Sequence, residues 1–279
     1  MNLPVYDFHC HSTCSDGSLS PKELVQRAKD YNVDYLSLTD HDTVAGIAEA
    51  QQEAEKHNIN FIPGVEVSVS SKWGHLHIVG LDVDPKNEVL LAKLQSQLNG
   101  RIKRAQKIVE KLEAAGVENA ASILDDDEIK TPGRLHFSKF LVKEGYAEDN
   151  REAFAKYLGE RGKAYVSHHW LYLEETIETI HAAGGLAILA HPGRCEVGKN
   201  QMKDLLYDFK RLGGDGIEVS YGQCGESTVA RYSALARKVG LLASVGSDFH
   251  NPEQRWNQLG CAIMPHVDLN AVWKARQWN

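Results

Sequence analysis

No stretch of this sequence approaches the roughly 20 consecutive apolar residues that a membrane helix needs, so no membrane span is expected. Cysteine is sparse and scattered. The five, Cys10, Cys14, Cys195, Cys224 and Cys261, are odd in number and form no CxxC pair. That excludes a disulfide framework and a cysteine-zinc knuckle. Excess positive charge is also missing: the net charge is −7, which leaves no broad footprint for long duplex DNA. The start, MNLPVYDFHC, has neither the basic segment nor the small-residue cleavage site of a secretory signal, and a cytoplasmic protein is expected. No internal repeat, low-complexity tract, coiled-coil heptad or exposed apolar stripe stands out, so no obligate protein partner is evident.

What remains is a chain of 279 residues, enough for one large barrel or for one core with a modest insertion. Short apolar runs alternate with helical patterns, which argues for βα units around a parallel sheet. The strand candidates are VYDFHCH, YLSLTDH, NFIPGVEVSV, HLHIVGLDV, LAILAHP, GIEVSY, LLASVGSDF and LGCAIMP. Ser20-Pro21-Lys22-Glu23 reads as a capped helix start. A second helix is expected from about Thr43 to Lys56, and others near 175–183, 201–212 and 226–238. Residues 88–165 contain no strand-like run, and Leu94, Leu98, Ile102, Ala105, Val109 and Leu112 recur at helical spacing. The expected organisation is therefore a barrel from 1–87 and 166–279 with a helical insertion at 88–165, placed as a lid that shapes the substrate pocket.

Thirteen histidines are many, and their positions matter more than their number. His9 and His11 stand two apart on a strand and so share a face. Asp16 follows in a Ser-Asp-Gly turn. His41 ends the second strand in T-D-H-D-T, where Asp42 or Thr43 could cap the next helix and Asp40 could orient a ligand imidazole. Glu66 interrupts the apolar run Ile62–Val67, where a carboxylate needs a partner to offset desolvation. His77 repeats the two-residue spacing with His75. His191 ends a very apolar strand, and Asp248 and His250 close another. Nearly every strand places an acid or an imidazole at its C-terminal end, where parallel barrels assemble active sites. A donor set of His, Asp and Glu without Cys suits Mn²⁺, Zn²⁺ or Fe²⁺, and there are too many donors for one ion. Two-metal sites clamp a phosphoryl group and acidify a bridging water, so phosphoester hydrolysis with a water nucleophile is expected.

Taken in order, D-F-H-C-H-S-T-x-S-D-G, T-D-H-D-T, G-V-E-V-S, H-I-V-G, A-H-P-G-R and G-S-D-F-H resemble the motif set of the PHP (polymerase and histidinol phosphatase) family across positions 7–250. The resemblance implies an α/β fold, a distorted TIM-like (β/α)₇ barrel, here with a helical insertion. T-P-G-R-L-H-F-S-K-F-L-V and A-H-P-G-R look most like the branch of RNase AM and nucleoside 3′,5′-bisphosphate phosphatases. It further implies two or three divalent ions, Mn²⁺ first with Zn²⁺ or Fe²⁺ as alternatives. One ion would take His9, His11, Glu66 and Asp248; a second would share Glu66 and add His77 and His191; a third would use Asp16, His41 and His250. Some members have His where this chain has Asp16. Glu66, His191 and Asp248 would be catalytic. The substrate implied is a 5′-phosphorylated nucleotide or short RNA hydrolysed at the 3′ ester, with Arg134, His136 and Arg194 as candidates to hold it.

Histidinol phosphate is the alternative substrate with the same metals, and a non-catalytic scaffold or a metal store are the non-enzymatic readings. A scaffold would have lost ligands, and none is lost. His57 and His181 are expected to be structural, and His168, His169, Trp73, Trp170 and Tyr221 are secondary candidates for substrate contact.

Overall fold

The computed structural model describes residues 3–126, 129–195, 197–198, 201–222, 224–254, 257–265 and 269–278. Among them, no helix is long and apolar enough to cross a membrane. The chain opens with β1 (Tyr6–Asp7), α1 (Pro21–Asp30), β2 (Tyr35–Leu36), α2 (Ile47–His57) and β3 (Asn60–Phe61), and β1, β2 and β3 pair in parallel in that order. α1 begins where its signal lies: Ser20 Oγ accepts from Glu23 N–H, Glu23 returns the bond to Ser20 N–H, and Pro21 stands in the first turn. α2 begins at Ile47 rather than Thr43, because Asp42 is turned away to bind a neighbouring strand.

The second sheet runs β6 (Leu171–Tyr172), β4 (Gly64–Ser71), β5 (Gly74–Leu81), β7 (Leu186–Leu189), β8 (Gly216–Tyr221) and β9 (Leu242–Gly246) in spatial order. Here the expected parallel sheet is broken. β5 is antiparallel to both β4 and β7, because the link from Ser71 to Gly74 is far too short for a crossover helix. LGCAIMP forms no strand. Closure comes instead from the extended ends of β1 and β9: His11 N–H donates to Phe249 O at 2.9 Å, and Asp248 N–H donates to His9 O at 2.7 Å. On the other side Glu66 N–H donates to Asp40 O at 3.2 Å and Asp42 N–H to Glu66 O at 2.9 Å. The result is a distorted α/β barrel, with α6 (Leu173–Ala182), α7 (Gln201–Arg211), α8 (Glu226–Val239) and the short α9 (Val272–Ala275) around it.

Between β5 and β6 lie α3 (Glu88–Ala114), α4 (Arg134–Lys143) and the short α5 (Asn150–Ala153). α3 joins two cores. Leu90 and Leu94 pack with the barrel, whereas Ala105, Ile108, Val109 and Leu112 pack with Phe137, Leu141, Ala153 and Leu158 in a separate cluster. The expected apolar face is rotated in its middle: Ile102 is exposed, while Gln97 and Arg101 are buried. The cause is Asp42, which forms an ion pair with Arg101 at 2.5 Å.

Close packing beneath the barrel mouth requires glycine at position 246. A Cβ on Gly246 would collide with the His9 side chain and backbone. Gly246→Ala should therefore cost about 1–3 kcal/mol of stability through overpacking, measured by urea unfolding; an unchanged midpoint would show that His9 is free to yield.

Candidate metal centre

The two pairings that close the barrel also assemble the site. The β1–β9 extensions bring His9 and His11 beside Asp248 and His250, and the β2–β4 extension brings His41 beside Glu66. His77 reaches the same face from β5: it pairs with Ser68, two residues along β4 from Glu66. His191 arrives from the end of β7.

Glu66, fully buried, is the hub. Its Oε1 lies 2.9 Å from His77 Nδ1 and 2.9 Å from His191 Nε2. Its Oε2 lies 2.8 Å from His41 Nδ1, 3.3 Å from His9 Nε2 and 3.4 Å from His11 Nε2. Asp248 Oδ1 stands 3.2 Å from His11 Nε2 and 3.5 Å from His9 Nε2. On the far side Asp16 Oδ1 is 3.2 Å from His250 Nε2, and Asp16 Oδ2 is 3.9 Å from His41 Nε2. All nine residues expected as ligands thus meet in one cage. The grouping differs in two respects: His41 faces Glu66 with one ring nitrogen and Asp16 with the other, and His11 clusters with Asp16, His41 and His250 as well as with His9 and Glu66, so each stands between two ion positions.

Burial raises the pKa of Asp16, Glu66 and Asp248, yet the surrounding imidazoles outweigh it and hold all three well below the usual carboxylate range. The imidazoles diverge in turn. Burial, then His250 and His41, push His11 down to about 3, whereas Asp16 and Asp248 overcome burial and lift His250 to about 9. Ionised carboxylates inside a buried cage need positive charge, and a divalent cation supplies it compactly.

The polar inventory fits that cation. Buried Asp16 Oδ1, His41 Nδ1, Glu66 Oε2 and His191 Nδ1 make no aligned hydrogen bond among the described residues, although the first three stand 2.8–3.2 Å from another cage atom, and such atoms are rare without cause. Their chemistry, imidazole nitrogen and carboxylate oxygen, suits a first-row divalent ion.

Glu218 was not foreseen. It sits buried in β8, accepts from His9 Nδ1 at 2.7 Å, and accepts from the His191 N–H at 2.6 Å. It therefore fixes the His9 tautomer, leaving Nε2 free for the cage. The signal was in GIEVSY, where a carboxylate interrupts an apolar strand as Glu66 does. Asp40, by contrast, binds no histidine directly: it accepts from Ser12 N–H at 2.7 Å, Ser12 Oγ at 2.6 Å and Ser15 Oγ at 2.5 Å, and so shapes the loop that carries Asp16. Asp42, His191 and Asp248 all have positive φ. Three strained residues at one site are a mark of a function that depends on their geometry.

Around the cage the walls come from both cores. Arg134 lies 5.5 Å over the Phe154 ring and lines the cleft. Arg194, half exposed, pairs with Asp248 Oδ2. The His136 ring faces Gly133, accepting its N–H at 3.1 Å at the start of α4, and lies within reach of the charges of Asp16, Lys139 and Arg101. Two arginines not foreseen, Arg101 and Arg104, line the cleft from α3. Burial, then the charges of Arg134 and Arg101, push the Arg104 guanidinium down to about 9. His168 and Trp170 border the same wall, with Arg101 and Arg104 over the Trp170 ring at 5.1 and 5.5 Å. His57 and His181 lie outside, bound to Glu53 and Asp215.

Glu218→Gln should keep the fold and weaken Mn²⁺ affinity by about 10- to 100-fold in a calorimetric titration, as loss of an outer carboxylate does. Unaltered affinity would mean that His9 is oriented by packing alone.

Known proteins match this arrangement over most of its length. The PHP domain profile matches residues 7–185. A 5′-3′ exoribonuclease of Haemophilus influenzae is 45% identical over 274 residues, covering 96% of this chain and 98% of the relative. A 3′,5′-nucleoside bisphosphate phosphatase of Chromobacterium violaceum is 42% identical, covering 91% and 90%. A solved structure from Chromobacterium violaceum, described as an amidohydrolase with bound sulfate and no metal, superposes with a TM-score of 0.93 at 38% identity, over 98% of this chain and 96% of that one. With the profile spanning more than half of the sequence and relatives aligned along nearly all of it, the chain belongs to the PHP domain family.

Proposed function

We propose that the chain is a metal-dependent phosphoesterase that hydrolyses the 3′ ester of a 5′-phosphorylated nucleotide, either the 3′ phosphate of a nucleoside 3′,5′-bisphosphate or the first linkage of a short RNA. The observation that carries this reading is the crowding of Arg101, Arg104 and Arg134 on one wall of a cleft whose floor is the imidazole–carboxylate cage. Burial and the charges of Arg134 and Arg101 hold the Arg104 guanidinium down to about 9, and a bound anion beside it would offset that repulsion. The cage takes the reacting phosphoryl group, so the arginines serve a second phosphate on the same molecule. The names of the two sequence relatives support this, since a bisphosphate and an RNA both offer two phosphates.

His9, His11, Glu66 and Asp248 would hold one ion, Glu66, His77 and His191 a second, and Asp16, His41 and His250 a third, with Mn²⁺ the first choice. Bound there, the ions would supply Lewis acidity at phosphorus and an acidified water. The chain's own residues do the rest. Arg104 and Arg134 bind the 5′ phosphate through charge-assisted hydrogen bonds. Asp42 holds Arg101 at 2.5 Å and so fixes the far edge of that pocket. Arg194, tied to Asp248, keeps this ligand oriented and stands ready to meet the reacting phosphate. The residues 88–165 form the lid that carries three of these cations. We place the enzyme in the cytoplasm, the reducing compartment that suits five free cysteines.

The discriminating experiment gives the Mn²⁺-loaded enzyme adenosine 3′,5′-bisphosphate, a 5′-phosphorylated short RNA, the same RNA with a 5′ hydroxyl, and histidinol phosphate. Turnover of the first two with poor use of the 5′-hydroxyl RNA is expected; turnover of histidinol phosphate alone would refute the substrate. Arg104→Ala should raise KM for the bisphosphate by about tenfold or more, with the smaller change in kcat. Chelation should abolish activity, and Asp248→Ala should keep its circular dichroism while losing turnover; full activity of Asp248→Ala would overturn the metal assignment.

A further inference from the structure

His191 and Arg194 reach the cage from one tight turn, His191-Pro192-Gly193-Arg194, that follows β7. The turn begins under strain. His191 has φ of 26° and ψ of 63°, a conformation that persists only where the surroundings over-determine it. The backbone N–H groups of the turn do so, Pro192 having none to contribute. Arg194 N–H closes the turn on His191 O at 2.9 Å. The other two reach out to a single strand: His191 N–H donates to Glu218 Oε2 at 2.6 Å, and Gly193 N–H donates to Tyr221 Oη at 2.8 Å.

Glu218 and Tyr221 stand three apart in β8, a spacing that puts side chains on opposite faces of a regular strand. A bulge reverses that. Glu218 pairs with Ser244 and Ser220 with Val245, which leaves Val219 as the extra residue, and Tyr221 then pairs with Gly246 on the face of Glu218. β8 thus offers one acceptor to each part of the turn. Tyr221, a candidate for substrate contact by sequence, is only 6% exposed. Its ring meets the His191 ring edge to face with centroids 6.4 Å apart, and the Arg194 guanidinium lies 5.9 Å from its centre. Gly193 is fitted to the hydroxyl: a Cβ there would collide with Tyr221 Oη and come within 3.3 Å of the ring carbon that bears it.

We infer that Tyr221 is a positioning residue. Its hydroxyl and Glu218 together clamp the turn, so that His191 Nε2 is aimed at Glu66 Oε1, 2.9 Å away, and Arg194 at Asp248. One side chain thereby sets a ligand of the second ion position and the guanidinium that steadies a ligand of the first. A phenylalanine would keep the packing and lose the clamp, because oxygen alone makes the contact. The inference rests on the metal cage of the function proposed above and not on its substrate.

The test is a calorimetric Mn²⁺ titration of the metal-free wild type, Tyr221→Phe, Gly193→Ala and the double variant, with thermal melting as the folding control. Tyr221→Phe should melt within about 4 °C of wild type and weaken one Mn²⁺ step by about tenfold or more. In the same variant kcat for adenosine 3′,5′-bisphosphate should fall by a similar factor with KM within about twofold, since the arginines that bind the 5′ phosphate are untouched. Gly193→Ala should weaken Mn²⁺ further. The double variant should bind Mn²⁺ more tightly than Gly193→Ala, because removing Oη removes the collision; a hydroxyl that helps beside glycine and harms beside alanine acts through this one contact. Wild-type affinity in Tyr221→Phe, or a double variant no better than Gly193→Ala, would overturn the positioning role and leave the function, judged by wild-type turnover, intact. A Tyr221→Phe that melts far below wild type would overturn it too, marking Tyr221 as a packing residue. A weakened Mn²⁺ step in Tyr221→Phe beside a wild type that does not turn over the bisphosphate would refute the substrate and leave the positioning role standing.

Discussion

A single carboxylate without solvent contact governs this molecule. Glu66 lies within 3.4 Å of five imidazoles, and its charge could not persist in the interior without them or the cation they would share. The backbone around it is arranged to serve that contact. Glu66 N–H and C=O are both taken by the segment Asp40–Asp42, so the strand bearing the hub is locked in register with the segment bearing His41. The β1–β9 pairing does the same for His9, His11, Asp248 and His250. The barrel closes through the very residues that build the cage, so folding and site assembly are one event.

Support for the cage comes from outside it. Glu218 holds His9 by its ring and His191 by its backbone, linking two strands that are not neighbours in the sheet. Asp40 plays a similar part for the loop of Asp16 through two serine hydroxyls. Arg194 caps Asp248. His9, the loop of Asp16 and Asp248 are thus each steadied by a group outside the cage, which helps to hold a crowded cluster of imidazoles and carboxylates in place.

Much of this was legible in the sequence. The capped start of α1 at Ser20 was placed well, and the residues that meet in the cage were picked out because their spacing of two, their strand-end positions and their order all agreed. What escaped was what depends on distant partners. Glu218 carries the same signal as Glu66, a carboxylate in an apolar strand, but no neighbouring imidazole in sequence drew attention to it. The burial of Arg101 and Gln97 in α3 was not foreseen, since the pairing with Asp42 that turns them inward spans far more chain than any local pattern sees. The antiparallel β5 was legible in principle from the two-residue link before it, and only the alternation of strands and helices elsewhere made a parallel sheet the natural expectation. His136, a substrate candidate by its neighbours, also accepts the Gly133 N–H at the start of α4, a role that no local pattern announced.

α3 has a mechanical meaning as well. Its first turns belong to the barrel core and its last to the second core, and its middle, with Arg101 and Arg104, forms one wall of the cleft. An uninterrupted helix has no hinge, and the Arg101–Asp42 pair pins its midpoint to the strand end beside His41. The gap between the arginines and the cage is thereby held at a constant gauge, set by the stiffness of a helix and not by loops closing on the substrate. On the function proposed above, a molecule would be accepted or refused by the distance between its two phosphates, and the protein would work as a caliper.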